Sequence, residues 1–422
     1  MMKNFFSTMF TKKHTRVYLD NAGSTEISPA SKRAFLKASF LYGNPSGIHK
    51  EGVEASLMLD TSRAVCATVL NAHAYEIYFV GSGTESCNLA VFGIYKAYTS
   101  NQKESSAIIP HMIVSSIEHP SILEPVSELE KKGLISVTYL PVYENGIVKV
   151  RDIENAIREE TILISVMYAN NEIGTLQPVK EIGRMLEAWK KEHGRTHTMY
   201  PYFHIDACQA TNYCNLDVVR LRAHAMTVNS SKIYGPKGVA LLYKREGVHM
   251  SQIELGGGQE RGLRSGTENV AGVYAFAVAL TETINMQESE KERVRFLRDY
   301  CKEELRKHIP SIIFYGAWDE MRGSVLHSEY RLPNNINCRV PGISSEEMIL
   351  RLDARGFAVS HKSACASRET DGSYVVMALG VTEEDAMENI RISLGRETTK
   401  KDLDSFVQAL KKIADTYTKN IS

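Results

Sequence analysis

Two apolar runs in this chain end on ionisable residues. Tyr202-Phe203-His204-Ile205 leads into Asp206, and Ala225–Val228 is followed shortly by Lys232. A lysine amine condenses with carbonyl groups, and a carboxylate beside a cationic ring nitrogen keeps that nitrogen protonated. Far downstream, Cys365 sits among Ser363, Ala364, Ala366 and Ser367, with His361 and Lys362 just before it. That basic setting favours the thiolate, which is the attacking form of cysteine. Amine, acid and thiol together point to carbanion chemistry coupled to the movement of sulfur. Taken singly, each has a plainer reading: a solvated lysine, a strand-end acid, a buried thiol.

Other residues fit the same chemistry. Gly81-Ser82-Gly83-Thr84-Glu85-Ser86 falls between an expected strand and an expected helix. Small residues there let backbone N–H groups and the Thr84 hydroxyl approach a phosphate. The Gly-Lys-Ser/Thr ending of a nucleotide P-loop is absent. Ser230 and Thr267 are further hydroxyl candidates for that phosphate. His119 follows another expected strand, where an imidazole can stack on a flat aromatic ring. Arg391, on a short alternating segment, carries a planar fork suited to a substrate carboxylate. Lys237 competes with Lys232 as the amine, but Gly235-Pro236-Lys237-Gly238 reads as a turn. A cofactor with a phosphate, a protonated ring and an aldehyde is pyridoxal 5′-phosphate.

Positioning these residues requires a scaffold, and the pattern supplies one. From about Tyr18 to Tyr243, short apolar runs alternate with helical stretches, as expected for a mainly parallel sheet wrapped by helices. The expected strands cover 76–80, 112–115, 137–140, 162–167, 202–205, 225–228 and 239–243. Expected helices cover 85–98, 121–132, 150–159 and 179–191. Beyond Thr267 a long charged helix, from Val270 to about His308, leads into shorter elements at 335–339 and 346–355 and a last helix near 400–417. The expected division is a large α/β domain at 17–267 and a smaller α+β domain formed by 1–16 and 268–422, the latter carrying the cysteine segment.

Composition narrows the class. The chain has 422 residues, 43% hydrophobic and 24% charged, with Lys+Arg and Asp+Glu both 50. Disorder is not expected, and neither a nucleic acid nor a membrane surface is suggested as partner. The seven cysteines are scattered, with no Cys-x-x-Cys pair, so no metal site is expected and free thiols in a reducing compartment fit best. No run approaches a membrane span. The first sixteen residues are basic (Lys3, Lys12, Lys13, Arg16) but lack the arginine-rich pattern of a transit peptide. A cytoplasmic location is expected, with an organellar matrix as the alternative.

With these residues in view, the chain resembles the cysteine desulfurases, class V members of the fold-type I pyridoxal-phosphate superfamily. The resemblance spans roughly Tyr18 to Leu410. It is carried by Tyr18-Leu19-Asp20-Asn21-Ala22, Gly43-Asn44-Pro45-Ser46, Gly83-Thr84-Glu85-Ser86, Asn170-Asn171-Glu172-Ile173-Gly174, Ser231-Lys232-Ile233-Tyr234-Gly235-Pro236-Lys237-Gly238, Arg261-Gly262-Leu263-Arg264-Ser265-Gly266-Thr267 and Ser363-Ala364-Cys365.

The resemblance implies a large domain with a seven-stranded, mainly parallel sheet and a smaller α+β domain. It implies that Lys232 forms the Schiff base, Asp206 pairs with the pyridine nitrogen and His119 stacks on the ring. Asn171 and Gln209 would lie beside the ring hydroxyl, and Gly83, Thr84 and Ser230 at the phosphate. Thr267 would reach the cofactor of the other subunit of a homodimer. Arg391 with Asn171 would hold the carboxylate of L-cysteine, and Cys365 would take its sulfur as a persulfide for an acceptor such as an iron–sulfur scaffold. The long segment from Cys365 to Ser373-Tyr374 looks like the subgroup serving cluster assembly and nitrogen fixation.

There are departures. Many relatives carry Ser-x-His-Lys where this chain has Ser231 before Lys232, and His361-Lys362 replaces a Ser-Gly pair. Rival readings are an aminotransferase or selenocysteine lyase of the same class, or an inactive adaptor on the same scaffold. The presence of lysine, aspartate, arginine and cysteine together argues against the adaptor.

Overall fold

In this computed structural model, which describes residues 16–100, 102, 108–318, 330–361 and 372–421, all seven expected apolar runs form one sheet. After the short strand β1 (Val17–Tyr18), its members are β2 (Ile77–Val80), β3 (His111–Ser115), β4 (Ser136–Leu140), β5 (Thr161–Ser165), β6 (Tyr202–Asp206), β7 (Ala225–Asn229) and β8 (Ala240–Lys244). Strands β2, β3, β5 and β6 are buried at every position. Helices cover both faces there, which is why these stretches are apolar throughout instead of alternating. Strand β4, at one edge, is partly exposed.

The spatial order is β2-β8-β7-β6-β5-β3-β4. From β4 to β7 every pairing is parallel, and β8 runs antiparallel to both of its neighbours. Six strands therefore point one way. The order reverses between β3 and β5, the kind of switch point beside which open α/β sheets bind ligands, at the carboxyl ends of the strands.

The expected helices are present, with shifted ends. That after β2 is composite: Gly83–Asn88, a π turn at Leu89–Gly93, then Ile94–Ser100. The others are Pro120–Lys131, Val150–Ala156 and Val179–Glu192. Two longer helices escape the sequence reading, Pro29–Ala38 and Lys50–Leu70, as do the one-turn helices Val218–Leu221, Tyr374–Met377 and Glu383–Ala386. The second buries Gly52, Ala55, Leu59, Ser62, Arg63, Cys66, Ala67 and Leu70. The spacing is helical, but small and polar residues occupy it, so no apolar stripe marks it in the sequence.

Helix Val270–His308, 39 residues long, joins two cores. Its first half supplies Val273, Phe276 and Leu280 to the core around the large sheet. Its second half supplies Val294, Leu297, Cys301 and Leu305 to another, built on strands β9 (Ile313–Tyr315), β10 (Asn335–Arg339) and β12 (Asn389–Ser393) and on the final helix Lys400–Ile421. Those three strands form an antiparallel sheet in the order β12-β10-β9. Strand β11 (Phe357–Ala358) pairs with β1, and Leu19 enters the second core. Val17 and Leu19 thus pack with the second core.

Candidate active site

The carboxyl ends of five strands of the large sheet deliver side chains to one cavity. It is lined by Gly83 and Thr84 after β2, His119 after β3, Asn171 after β5, Asp206 and Gln209 at and after β6, and Asn229 and Lys232 at and after β7. Arg391 of β12 completes it from the second core.

Asp206 is the last residue of β6 and is 8% exposed. Its Oδ1 accepts the backbone N–H of Cys208 at 2.9 Å, a turn that fixes the carboxylate at the strand end. Cys87 Sγ lies 3.8 Å from Oδ2. Among the described residues no lysine or arginine forms an ion pair with it. His204, two residues earlier, cannot act as the counter-cation. Burial pushes its pKa down to about 4, and its neutral ring is held between Ser165 and Thr227. A buried carboxylate that no lysine or arginine of the described residues pairs is costly, and a protonated pyridine nitrogen would offset that cost.

Lys232 ends the 3₁₀ turn Ser230–Lys232, which Asn229 caps by accepting the N–H of Ser231. The Lys232 ammonium donates to the carbonyls of Ala22 (2.9 Å) and Gly23. Gln209 donates to the same Ala22 carbonyl at 2.8 Å. The N-terminal strap is in turn tied down by Thr25, whose N–H donates to Ser231 O and whose hydroxyl accepts from Tyr234 N. Lys237, the competing amine, is exposed on its turn and does not line the cavity.

His119 caps helix Pro120–Lys131, its Nδ1 accepting from Ser121 N at 3.1 Å. That bond puts the ring proton on Nε2, and burial lowers the pKa, which favours the neutral ring. Arg391 is 1% exposed. It donates to the Asn171 carbonyl at 3.1 Å and to Asp20 Oδ1 at 2.7 Å. Its Nε is buried and has no partner among the described residues.

Not every expected residue reaches the cavity. Ser230 is fully buried but absent from the lining, and its hydroxyl has no partner among the described residues. It points beneath Gly235, where a Cβ would come within 2.1 Å of it. Asn229 takes the place expected for Ser230, beside Gly83, whose added Cβ would meet Asn229 Nδ2 and Cys208 Sγ at 3.2 Å each. Strand alternation explains the exchange: Asn229 shares a face with Thr227, which bonds Ser86 of helix Gly83–Asn88, and Ser230 faces the other way. Thr267 is exposed and away from this chain's own cavity. Cys365 and Lys362 lie outside the described residues.

Glu118, beside His119, went unnoticed in the sequence. It is fully buried; its Oε1 accepts from Ser115 Oγ and Met167 N. Burial outweighs those bonds and raises its pKa from 4.5 to about 8. The folded chain therefore keeps a proton that the unfolded chain releases. The stability this contributes is full below about pH 4.5 and is lost as pH rises through about 8. Glu118→Gln is expected to gain stability relative to the parent across that window, on the order of a few kcal/mol at most. Melting temperatures of the two proteins measured across the window test this; a constant difference would contradict it.

The chain is similar to known proteins over nearly its whole length. The aminotransferase class-V family matches residues 17–406. A cysteine desulfurase IscS of Clostridium botulinum is 38% identical over 399 residues, covering 94% of each chain. Another from Dictyoglomus turgidum is 38% identical over 403 residues, again 94% of each. Among solved structures, a NifS-like protein superposes with a TM-score of 0.82 at 30% identity, over 95% of this chain and 100% of its own. SspA, solved in complex with cysteine, gives 0.71 at 29% identity over 89% of this chain and 98% of its own. By its matched length, its relatives and its cavity, the chain belongs to the aminotransferase class-V family.

Proposed function

We infer that the protein is a cysteine desulfurase, converting L-cysteine to L-alanine and leaving the sulfur on Cys365 as a persulfide. The observation that carries this reading is the convergence of Lys232, Asp206, His119 and Arg391 on one cavity. The desulfurase relatives, alike over nearly the whole chain, support it.

Pyridoxal 5′-phosphate, when bound, supplies a carbonyl for the substrate amine and an electron sink for the α-carbon. Thr84, the backbone at Gly83 and Asn229 are the groups suited to its phosphate, and Asp206 to its ring nitrogen. His119 would cover the ring, and Gln209 and Asn171, which line the same cavity, would meet its hydroxyl. Arg391 would orient the substrate by its carboxylate. Lys232 would bear the cofactor, and its amine would be the base that takes the α-proton and returns it. The Cys365 thiolate attacks the substrate sulfur. One C–S bond breaks and one S–S bond forms. The β-carbon keeps the bonding pair and takes a proton, so the step needs no outside oxidant or reductant.

A homodimer completes the reading, in which the exposed Thr267 would reach a partner's cofactor. Exposed apolar side chains on and between the two N-terminal helices, including Leu36, Phe40, Tyr42, Ile48 and Leu57, support burial against a second copy. The sulfur would pass to an acceptor protein such as an iron–sulfur scaffold. Among the described residues no helix is long and apolar enough to cross a membrane.

The test is direct: protein reconstituted with pyridoxal 5′-phosphate should release alanine from L-cysteine in equal amount to sulfide under a reducing thiol. Consumption of a keto acid instead would favour an aminotransferase. Asp206→Asn should weaken cofactor retention by about 3 kcal/mol, on the order of a hundredfold, by leaving the ring cation unpaired. Equal retention in equilibrium dialysis would show that Asp206 does not meet the ring.

A further inference from the structure

The cysteine segment leaves and re-enters the described structure at two points fixed to the cavity wall. On its N-terminal side, Ser360 exchanges backbone hydrogen bonds with Arg391, and the His361 carbonyl accepts from Asn389 Nδ2 at 3.3 Å. On its C-terminal side, the first two side chains after Gly372 both reach across to the loops of the large sheet. Ser373 Oγ donates to Glu172 Oε2 at 2.6 Å, and Tyr374 OH donates to the Glu118 carbonyl at 2.7 Å.

The acceptors are well placed. The Glu118 carbonyl belongs to the peptide unit that joins Glu118 to His119, so Tyr374 is held by the backbone from which the imidazole projects, itself tied to Ser115 O through Glu118 N. Glu172 directly follows Asn171, whose carbonyl holds Arg391. Glu172 is fully buried and doubly fixed, its carbonyl accepting from Asn335 and Asn337 of β10. Ser373 is itself 2% exposed and caps the short helix Tyr374–Met377 through Val376 N. Gly372 leaves no slack, since a Cβ there would meet Glu383 O at 2.8 Å.

We propose that Tyr374 and Ser373 are positioning residues for sulfur transfer, holding the end of the Cys365 segment in register with the His119 and Asn171 loops. The proposal rests on the desulfurase reading above. Its physical basis is that a reacting thiol and its target must meet within a few tenths of an ångström, and a misplacement of about 1 Å can cost on the order of a hundredfold.

The test separates two half-reactions of the holoenzyme. Exchange of the substrate α-proton with deuterated solvent needs Lys232 but no thiol; sulfur transfer to Cys365 needs both. In Tyr374→Phe and Ser373→Ala, exchange should stay within about twofold of the parent, while single-turnover persulfide formation falls roughly tenfold or more. Ser373→Thr, which keeps the hydroxyl, should restore it. In the cofactor-free chain, trypsin cleavage after Lys362 and Arg368 should quicken roughly fivefold in Tyr374→Phe, as expected when one anchoring hydrogen bond is lost. Persulfide formation at the parental rate in both variants would overturn the proposal. So would a parallel fall in exchange and sulfur transfer, the mark of a merely structural role. Cys365→Ser distinguishes the underlying reading: persulfide formation persisting in that variant would refute the desulfurase assignment to Cys365, whatever the anchors do.

Discussion

Replacing Lys232 with alanine is expected to abolish turnover of L-cysteine and to remove the link by which borohydride fixes the cofactor to the chain. Lys232 is the lysine of the cavity, its amine held by the Ala22 and Gly23 carbonyls, and Lys237 lies outside on an exposed turn. Loss of the proton-carrying amine alone should cost ~10²–10⁴ in rate. Loss of the covalent tether adds to this. The variant should still fold, because alanine removes no buried apolar packing and the Lys232 carbonyl keeps its bond from Asn212. Peptide mapping after borohydride reduction measures the outcome. Label remaining on the chain in Lys232→Ala would show that another amine is used.

Cys365→Ser should separate cofactor chemistry from sulfur chemistry. A hydroxyl is a far weaker nucleophile toward sulfur than a thiolate, so alanine formation should fall on the order of a thousandfold or more. The cofactor's visible absorbance and α-proton exchange should remain, since Lys232, Asp206 and His119 are untouched. Alanine production at the parental rate would remove Cys365 from the reaction.

The parts of this protein that were legible in the sequence share one physical cause. Strands buried on both faces appear as unbroken apolar runs, and polar residues that follow such runs stand at the ends where a parallel sheet gathers ligands. Asp206, His119, Gly83 and Thr84 could be found that way. Lys232 and Arg391 gained meaning from the company they keep. Helix Lys50–Leu70 was hidden because it packs through glycine, alanine, serine and arginine. The exchange of Ser230 for Asn229 turned on which face of β7 a residue joins before the chain tightens into a 3₁₀ turn. Counting by twos from Thr227 identifies Asn229. The anchors Ser373 and Tyr374 were illegible for a different reason: their partners lie 201 and 256 residues away, and nothing local marks a tyrosine that bonds a distant carbonyl. Glu118 gave no signal either, since a lone acid beside a histidine has no pattern until burial on every side is known.

The most direct test of the account is mass spectrometry of the reconstituted protein after brief exposure to L-cysteine, digested without reductant. The peptide containing Cys365 should carry one additional sulfur, in step with alanine release, and the same peptide from Lys232→Ala should carry none. Alanine accumulating while that peptide stays unmodified, or the added sulfur appearing on Cys208 or Cys87 instead, would contradict it.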